Sequence, residues 1–264
     1  MNKKTLLLAV LCSIVLSVNN SHAASATDAN LLNVDTTLLT DGYGAFVRDA
    51  GVGLHFNPGN SGAPIAGGIL PIGVKVSGEL GLVGMSTATQ DLLAGASGSD
   101  VSVLPVPKVK IQVGIPFGID IGYQMVSMGD TITSTGYEIR YDVSSHIPLP
   151  VLDLAFRYHT ESGQFTDDLE LASSGFDLTV GANIPIIKPY ANFGTLSITG
   201  TPSDSLKNST AGQLAGVDEV THDLTITTIG AKFTAIPFMS MYGEYTTFGE
   251  ADSSLISAGF GLDF

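Results

Sequence analysis

Ser253-Ser-Leu-Ile-Ser-Ala-Gly-Phe-Gly-Leu-Asp-Phe264 closes the chain. Counted back from Phe264, every second residue is apolar: Leu262, Phe260, Ala258, Ile256. Between them stand Asp263, Gly261, Gly259 and Ser257. A period of two is the mark of a β-strand, because successive side chains point to opposite faces of the pleat. This strand has one apolar face, one face of small or polar residues, and an aromatic end.

Six earlier segments follow the same rule. Ile72, Val74, Val76, Leu80 and Leu82 oppose Lys75, Ser77 and Glu79. Val109, Ile111, Val113 and Ile115 oppose Lys108, Lys110 and Gln112. Phe117, Ile119, Ile121, Tyr123 and Met125 oppose Asp120 and Gln124. Tyr137, Ile139, Tyr141 and Val143 oppose Glu138, Arg140 and Asp142. Leu152, Leu154, Phe156 and Tyr158 oppose Asp153, Arg157 and His159. Phe176, Leu178, Val180, Ala182 and Ile184 oppose Asp177, Thr179 and Asn183. Every charged residue of these segments and of the last strand falls opposite the apolar face. A one-residue slip would move all of them to the wrong side, so the register is strongly specified.

Segments near 190–200, 221–235 and 238–249 are strand-like but less regular, and shifts of apolar parity at Gly194–Thr195 and Thr227–Thr228 predict bulges. The count from Ile72 to Phe264 is ten strands. Val52, Leu54 and Phe56 alternate with Gly53 and His55, which suggests one more, and an even number would need a second. The expectation is an all-β, antiparallel up-and-down barrel of about 10–12 strands, with twelve slightly preferred. Residues 27–71 then supply first strands, a periplasmic extension or a luminal plug, and 72–264 form the barrel.

The amino end reads as a cleaved signal peptide over 1–26: Lys3 and Lys4, an apolar run from Thr5 to Val18, then a small-residue stretch to Ala26. Cys12, the single cysteine, lies in the apolar run, so the mature chain has none and disulfide or thiolate chemistry is excluded. Loss of 1–26 removes two lysines and no acid from a formal charge of −14, leaving −16. Such an acidic chain excludes nucleic acid as a partner. With no apolar run long enough for a spanning helix after the signal, the spanning architecture left is a closed barrel.

A soluble barrel or sandwich would alternate in the same way. Two features favour a membrane barrel. The polar face is rich in glycine (Gly73, Gly81, Gly114, Gly118, Gly122, Gly181, Gly259, Gly261), which suits a crowded interior. The connections also alternate in length. Short ones carry proline: Ile115-Pro-Phe-Gly118, Ile147-Pro-Leu-Pro150, Ile184-Pro-Ile-Ile-Lys-Pro189 and Ala235-Ile-Pro-Phe238. Longer polar stretches at 129–134, 162–174, 201–220 and 250–252 lie between them. A periplasmic carboxy-terminus puts the proline turns in the periplasm and the polar stretches outside.

Ile256, Ala258, Phe260, Leu262 and Phe264 resemble the carboxy-terminal insertion signal of Gram-negative outer-membrane barrels. That resemblance implies the cell outer membrane, with the barrel-assembly machinery and periplasmic chaperones as partners during biogenesis and outer-membrane lipids and lipopolysaccharide as surroundings. Leu104-Pro-Val-Pro-Lys-Val109, Val113-Gly-Ile-Pro-Phe-Gly-Ile-Asp120, and Ile139-Arg-Tyr-Asp142 leading into Ile147-Pro-Leu-Pro150 resemble a family of outer-membrane β-barrels grouped as a domain of unknown function. It covers roughly residues 100–200 and implies a barrel with no assigned activity. Arg48-Asp49 and Leu54-His-Phe-Asn-Pro-Gly59 also look like a stretch of the amino-terminal hatch of long-chain fatty-acid transporters.

The residues expected to line the lumen are Lys75, Glu79, Lys110, Asp120, Glu138, Arg140, Asp142, Asp153, Arg157 and Asp177. Arg140 stands between Glu138 and Asp142, and Arg157 points the same way as Asp153. In a narrow barrel these groups must pair. They then form either a selectivity constriction or a salt-bridged network that fills the interior. Catalysis finds little support. His222-Asp223 and Asp167-Asp168 lie near the outer rim, yet neighbours on a strand face opposite ways, so Asp223 cannot orient His222. Glu161, Asp167, Asp168, Glu170, Asp204, Asp218 and Glu219 read as a solvated acidic rim without cation-loop spacing. No enzyme activity, cofactor or metal is expected. The functional expectation is a narrow channel or transporter of small or hydrophobic solutes, the alternative a non-conducting structural or interaction barrel.

Overall fold

The computed structural model describes residues 31, 34–65, 72–97, 100–128, 132–144, 146, 151–236, 238–249 and 251–264. The signal peptide with Cys12, the 129–131 stretch and the Ile147–Pro150 turn lie outside the described residues.

Ten antiparallel strands close into a barrel in chain order. They are β1 (Gly73–Gly84), β2 (Val103–Ile115), β3 (Ile119–Met128), β4 (Ile132–Asp142), β5 (Leu152–Phe165), β6 (Leu169–Ala182), β7 (Ile187–Pro202), β8 (Val220–Ile236), β9 (Met239–Phe248) and β10 (Ser254–Asp263). The seam joins β1 to β10 from Lys75 opposite Asp263 to Gly84 opposite Ser254. Beyond it, the Phe264 N–H donates to the Val74 carbonyl (2.7 Å) and the Val74 N–H to the Phe264 carbonyl (2.9 Å). The last residue of the chain therefore helps to close the ring, which leaves no open edge.

Among the described residues four α-helices accompany the barrel: α1 (Thr36–Leu54), α2 (Thr87–Ser97), α3 (Asp204–Asn208) and α4 (Thr210–Ala215). No eleventh or twelfth strand exists among the described residues. Val52 and Leu54 belong to α1, whose start is capped by the Asp35 side chain accepting from the Thr37 N–H. Every residue from Asp49 to Leu54 is buried. A helix end enclosed on all sides has no polar stripe, so its sequence lacks the helical period and was open to reading as a strand.

Two stretches expected as loops are built differently. Only Thr166–Asp168 turns between β5 and β6, so Glu161 and Glu170 lie on strands rather than on a rim. Segment 201–220 holds the end of β7 followed by α3 and α4.

The expected bulges are absent. The ladders of β7 with β6 and β8 run unshifted through Gly194, Thr195, Thr227 and Thr228. The one register shift among the described pairs falls between Phe233 and Ile236. The parity of apolar residues changes for another reason. Phe193 and Ile229 face outward, whereas Leu196, Ile198, Leu224 and Ile226 face inward and are buried. The interior itself changes from polar to apolar along the strands.

Outside, every strand exposes large apolar side chains, among them Val109, Ile121, Ile139, Phe156, Phe176, Phe193, Ile229, Met241 and Ile256. Ile256, Ala258, Phe260, Leu262 and Phe264 share that outward face, Phe260 and Leu262 half-exposed. The two ends differ. At the carboxyl end the turns place Phe117, Val151, Ile186 and Phe238 in the left-handed region (φ 75°, 71°, 74° and 64°). Each follows a proline in the sequence, which pre-sets the turn and forces the positive φ onto a bulky residue. At the opposite, helical end sit α1, α2 and the α3–α4 pair.

Candidate functional site

The interior has two levels, and the amino-terminal segment runs through both. On each strand the inward side chains are polar toward the carboxyl end and apolar toward the helical end. Lys75, Ser77 and Glu79 give way to Val83, Lys110 and Lys108 to Val106 and Leu104, and Asp120 and Gln124 to Val126 and Met128.

In the apolar level α1 is packed as in the core of a soluble domain. Leu39, Phe46, Val47, Val52 and Leu54 meet Leu92 and Leu93 of α2 and the inward residues Leu104, Phe165, Leu171, Leu196 and Ile198. Phe46 lies edge-on to Phe165 with ring centroids 4.8 Å apart. Buried Asp49 accepts from the Ser86 N–H (2.8 Å), the Ser86 hydroxyl (2.7 Å) and the Thr89 hydroxyl (2.6 Å), so it ties α1 to the start of α2. His222 Nε2 meets the Gly44 carbonyl at 2.8 Å, while Asp223 is exposed. Burial and the nearby Asp218 carboxylate push the hydroxyl of Tyr43, also in this cluster, above the ordinary tyrosine range.

At Leu54 the helix stops, and the chain continues as an irregular strap, His55-Phe-Asn-Pro-Gly-Asn-Ser-Gly-Ala63. Pro58 has no N–H and Gly59 sits at φ 56°, so the strap cannot pair as a strand. Its backbone groups still need partners, and the barrel wall supplies them. Gln124 Nε2 donates to the Leu54 carbonyl (2.9 Å), Lys108 to His55 (2.5 Å) and Arg157 to Phe56 (2.5 Å). Lys110 donates to Asn57 (2.9 Å), Lys75 to Gly59 (2.9 Å) and Arg140 to Ala63 (3.0 Å). In the other direction the N–H groups of Phe56, Gly59 and Ile65 donate to Glu161 (2.9 Å), Glu244 (2.7 Å) and Asp120 (3.2 Å). Cations face carbonyls and carboxylates face amides along the whole strap.

The same wall residues pair with one another. Glu79 accepts from Lys110 (2.5 Å), Asn57 (2.6 Å) and Tyr242 (2.6 Å), with Lys108 at 3.6 Å. Arg140 pairs with Asp120 across β3 and β4 (2.5 Å). Arg157 binds Asp177 (2.5 Å) and reaches Glu138 (3.4 Å). Asp153 accepts from the Ser61 hydroxyl (3.2 Å), and Asp142 from the Ser144 N–H (2.7 Å). Gly181 is needed where it stands, since a Cβ there would collide with the Ser61 carbonyl of the strap.

All ten residues named from the sequence as lumen candidates are buried inside the barrel. The structure brings Glu79 together with Lys110, Asp120 with Arg140, and Arg157 with both Asp177 and Glu138, while Asp153 bonds to the strap through Ser61. Sequence reading placed Gln124 and Lys108 on the inward face without counting them as site residues, and missed Tyr190, Tyr242 and Glu244. Inward parity on β7 and β9 was available as a signal for the last three. That they close on a strap was not.

No family model matches the chain, and no curated protein matches it either. Among solved structures, a loop-deletion variant of OmpT, an outer membrane protein of Vibrio cholerae, is similar at 10% identity over 61% of this chain and 54% of that one, with a TM-score of 0.32. The chain thus spans about half the length of that protein. The KdgM porin in complex with disordered oligogalacturonate is similar at 10% identity over 72% of this chain and 99% of that one (TM-score 0.39). Neisserial surface protein A is similar at 12% identity over 74% and 98% (TM-score 0.34). Similarity at this level says nothing of activity.

Proposed function

We propose that this protein is a barrel of the Gram-negative outer membrane, closed by its own amino-terminal segment and non-conducting at rest. Apolar side chains exposed on every strand make a belt far beyond the patch a soluble monomer carries. A closed ring of strands satisfies its backbone inside lipid. Insertion of β10 by the barrel-assembly machinery, with periplasmic chaperones before it and lipopolysaccharide around the outer rim, belongs to the same proposal.

One observation carries the closed state: the luminal charges are spent on the strap. Lys75, Lys108, Lys110, Arg140 and Arg157 each donate to a strap carbonyl, so the groups that would select ions in a pore hold protein instead. Planar-bilayer recording of the refolded protein tests this. The intact chain gives no stable current steps, and deletion of 27–65 gives them. Stable steps from the intact chain overturn the proposal.

A gated conduit is the second reading, favoured by the polar nature of those contacts. Water can replace each of them, as it cannot replace apolar packing. Steps appearing in Lys108→Ala/Lys110→Ala, in a barrel that keeps its folded gel mobility, support this reading.

A further inference from the structure

We propose that His55, His159 and Glu161 form a site for a divalent transition metal that fastens the strap to the barrel wall. The site stands whether or not the barrel conducts.

His55 is the first residue of the strap, and its ring is completely buried. It lies edge-on to His159 (centroids 4.8 Å, 69°) and to Phe248 (5.9 Å, 88°). Neither of its ring nitrogens has a hydrogen-bond partner. A neutral imidazole carries one donor and one acceptor, and leaving both bare in a dry interior is costly. A side chain present only for packing is better supplied by Phe or Leu. The acceptor's share of that cost is removed if that nitrogen of His55 is a metal ligand.

Its neighbours complete a donor set. Ligand atoms of His55, His159 and Glu161 all lie within 4.8 Å of one another. Around a tetrahedral ion with bonds of about 2.0–2.1 Å, donors stand about 3.3 Å apart. The proposal requires the donors to draw together on binding, by rotation of the side chains. His159 Nδ1 already lies 2.8 Å from Glu161 Oε1, on adjacent inward positions of β5. His159 Nε2 lies 3.5 Å from the Asp177 carboxylate, an ion-pair distance too long for a hydrogen bond, so this nitrogen is loosely held.

An outer shell is in place. Glu161 accepts from the Ser173 hydroxyl (2.5 Å) and the Phe56 N–H (2.9 Å), which fix its carboxylate. Among the described ion pairs its only partner is His159, so its counter-charge comes from a proton on that imidazole or from a metal in its place. Two imidazoles and one carboxylate suit Zn²⁺ or Co²⁺, not the all-oxygen preference of Ca²⁺ or Mg²⁺. Two ligands stand on the wall and one on the strap, so metal binding and strap closure become one event.

Titration of the refolded, metal-stripped chain with Co²⁺ tests the site, using the visible absorption of four- or five-coordinate cobalt. One equivalent binds, Zn²⁺ bleaches the signal, and Zn²⁺ raises the unfolding temperature. His55→Ala and Glu161→Gln each weaken binding at least tenfold, and His146→Ala/His222→Ala leaves it unchanged. If His55→Ala does not fold, His55→Phe keeps a ring against Phe248 and removes the ligand. A folded barrel without the cobalt spectrum, or a spectrum that survives loss of His55, overturns the proposal.

Discussion

The two levels of the lumen hold one continuous segment by opposite means. Around α1 the wall is apolar, and the helix is retained by burial, which is non-directional and scales with the area removed from water. Around the strap the wall is charged, and retention depends on a donor or acceptor meeting each backbone group. A hydrogen bond to a charged group is worth about 1.5–3 kcal/mol net, and losing one partner leaves the other buried and bare. The difference teaches which part can be released: the strap's bonds can be exchanged for water, whereas the helix has nothing to exchange.

The largest effect is expected in the polar level. Arg157→Ala leaves Asp177 and Glu138 without their cation and the Phe56 carbonyl without its donor. Stripping one partner from such a buried cluster costs about 3–5 kcal/mol. Urea unfolding in detergent should show that loss, and a thiol placed by Ser61→Cys should become reactive. If the thiol stays protected while stability falls, the strap is not held by this network.

The apolar level predicts the reverse pattern. Leu39 on α1 is fully buried, and Leu39→Ala leaves a cavity costing about 2–5 kcal/mol, toward the lower end if α2 settles inward. Trypsin should then cut at Arg48, with the Ser61→Cys thiol still protected. Equal exposure of both sites in Leu39→Ala would mean that the levels open as one cooperative unit, and the contrast between them would fall.

The polar level was legible in the sequence and the apolar one was not, for a physical reason. Lys75, Asp120, Arg140 and Arg157 declare an inward face because a charge on the lipid side is expensive. Leu196, Ile198, Leu224 and Ile226 declare nothing, since apolar residues suit either side of the wall; their reversal at Gly194 and Thr227 therefore looked like bulges. The ten strands from Ile72 onward follow from alternation and were read correctly. Val52, Leu54 and Phe56 alternate by accident, in a helix end and strap whose surroundings are apolar or bonded on every side. The partners of the strap were hidden too, because Phe56 with Glu161 and Gly59 with Glu244 pair across long stretches of chain. No local period records that.

A smaller effect lies at the junction of α1 with α2. Asp49 takes three donors at the start of α2. Asp49→Ala leaves those buried donors without their acceptor and costs about 1–3 kcal/mol. It should loosen α2 and sharpen trypsin cleavage at Arg48 without changing the thiol at Ser61→Cys. Reactivity of that thiol would show that the helical end steers the strap below it.

The smallest effect belongs to neither level. Val151 sits at a turn of the carboxyl end with φ 71° and is 58% exposed. A left-handed backbone costs an L-residue about 1–2 kcal/mol, and a β-branched side chain has the least freedom to relieve it. Glycine adopts the conformation freely but gives the unfolded chain more entropy to lose, which returns part of the gain. With little buried area at stake, Val151→Gly should stabilise the barrel by about 0.5–1 kcal/mol, seen as a higher urea midpoint at unchanged slope. Cleavage at Arg48 and labelling at Ser61→Cys should stay as they are, which makes this variant the control for a change that touches the wall alone. A lower midpoint would show that the Val151 tip makes contacts worth more than its strain, as an apolar turn seated in the membrane interface would.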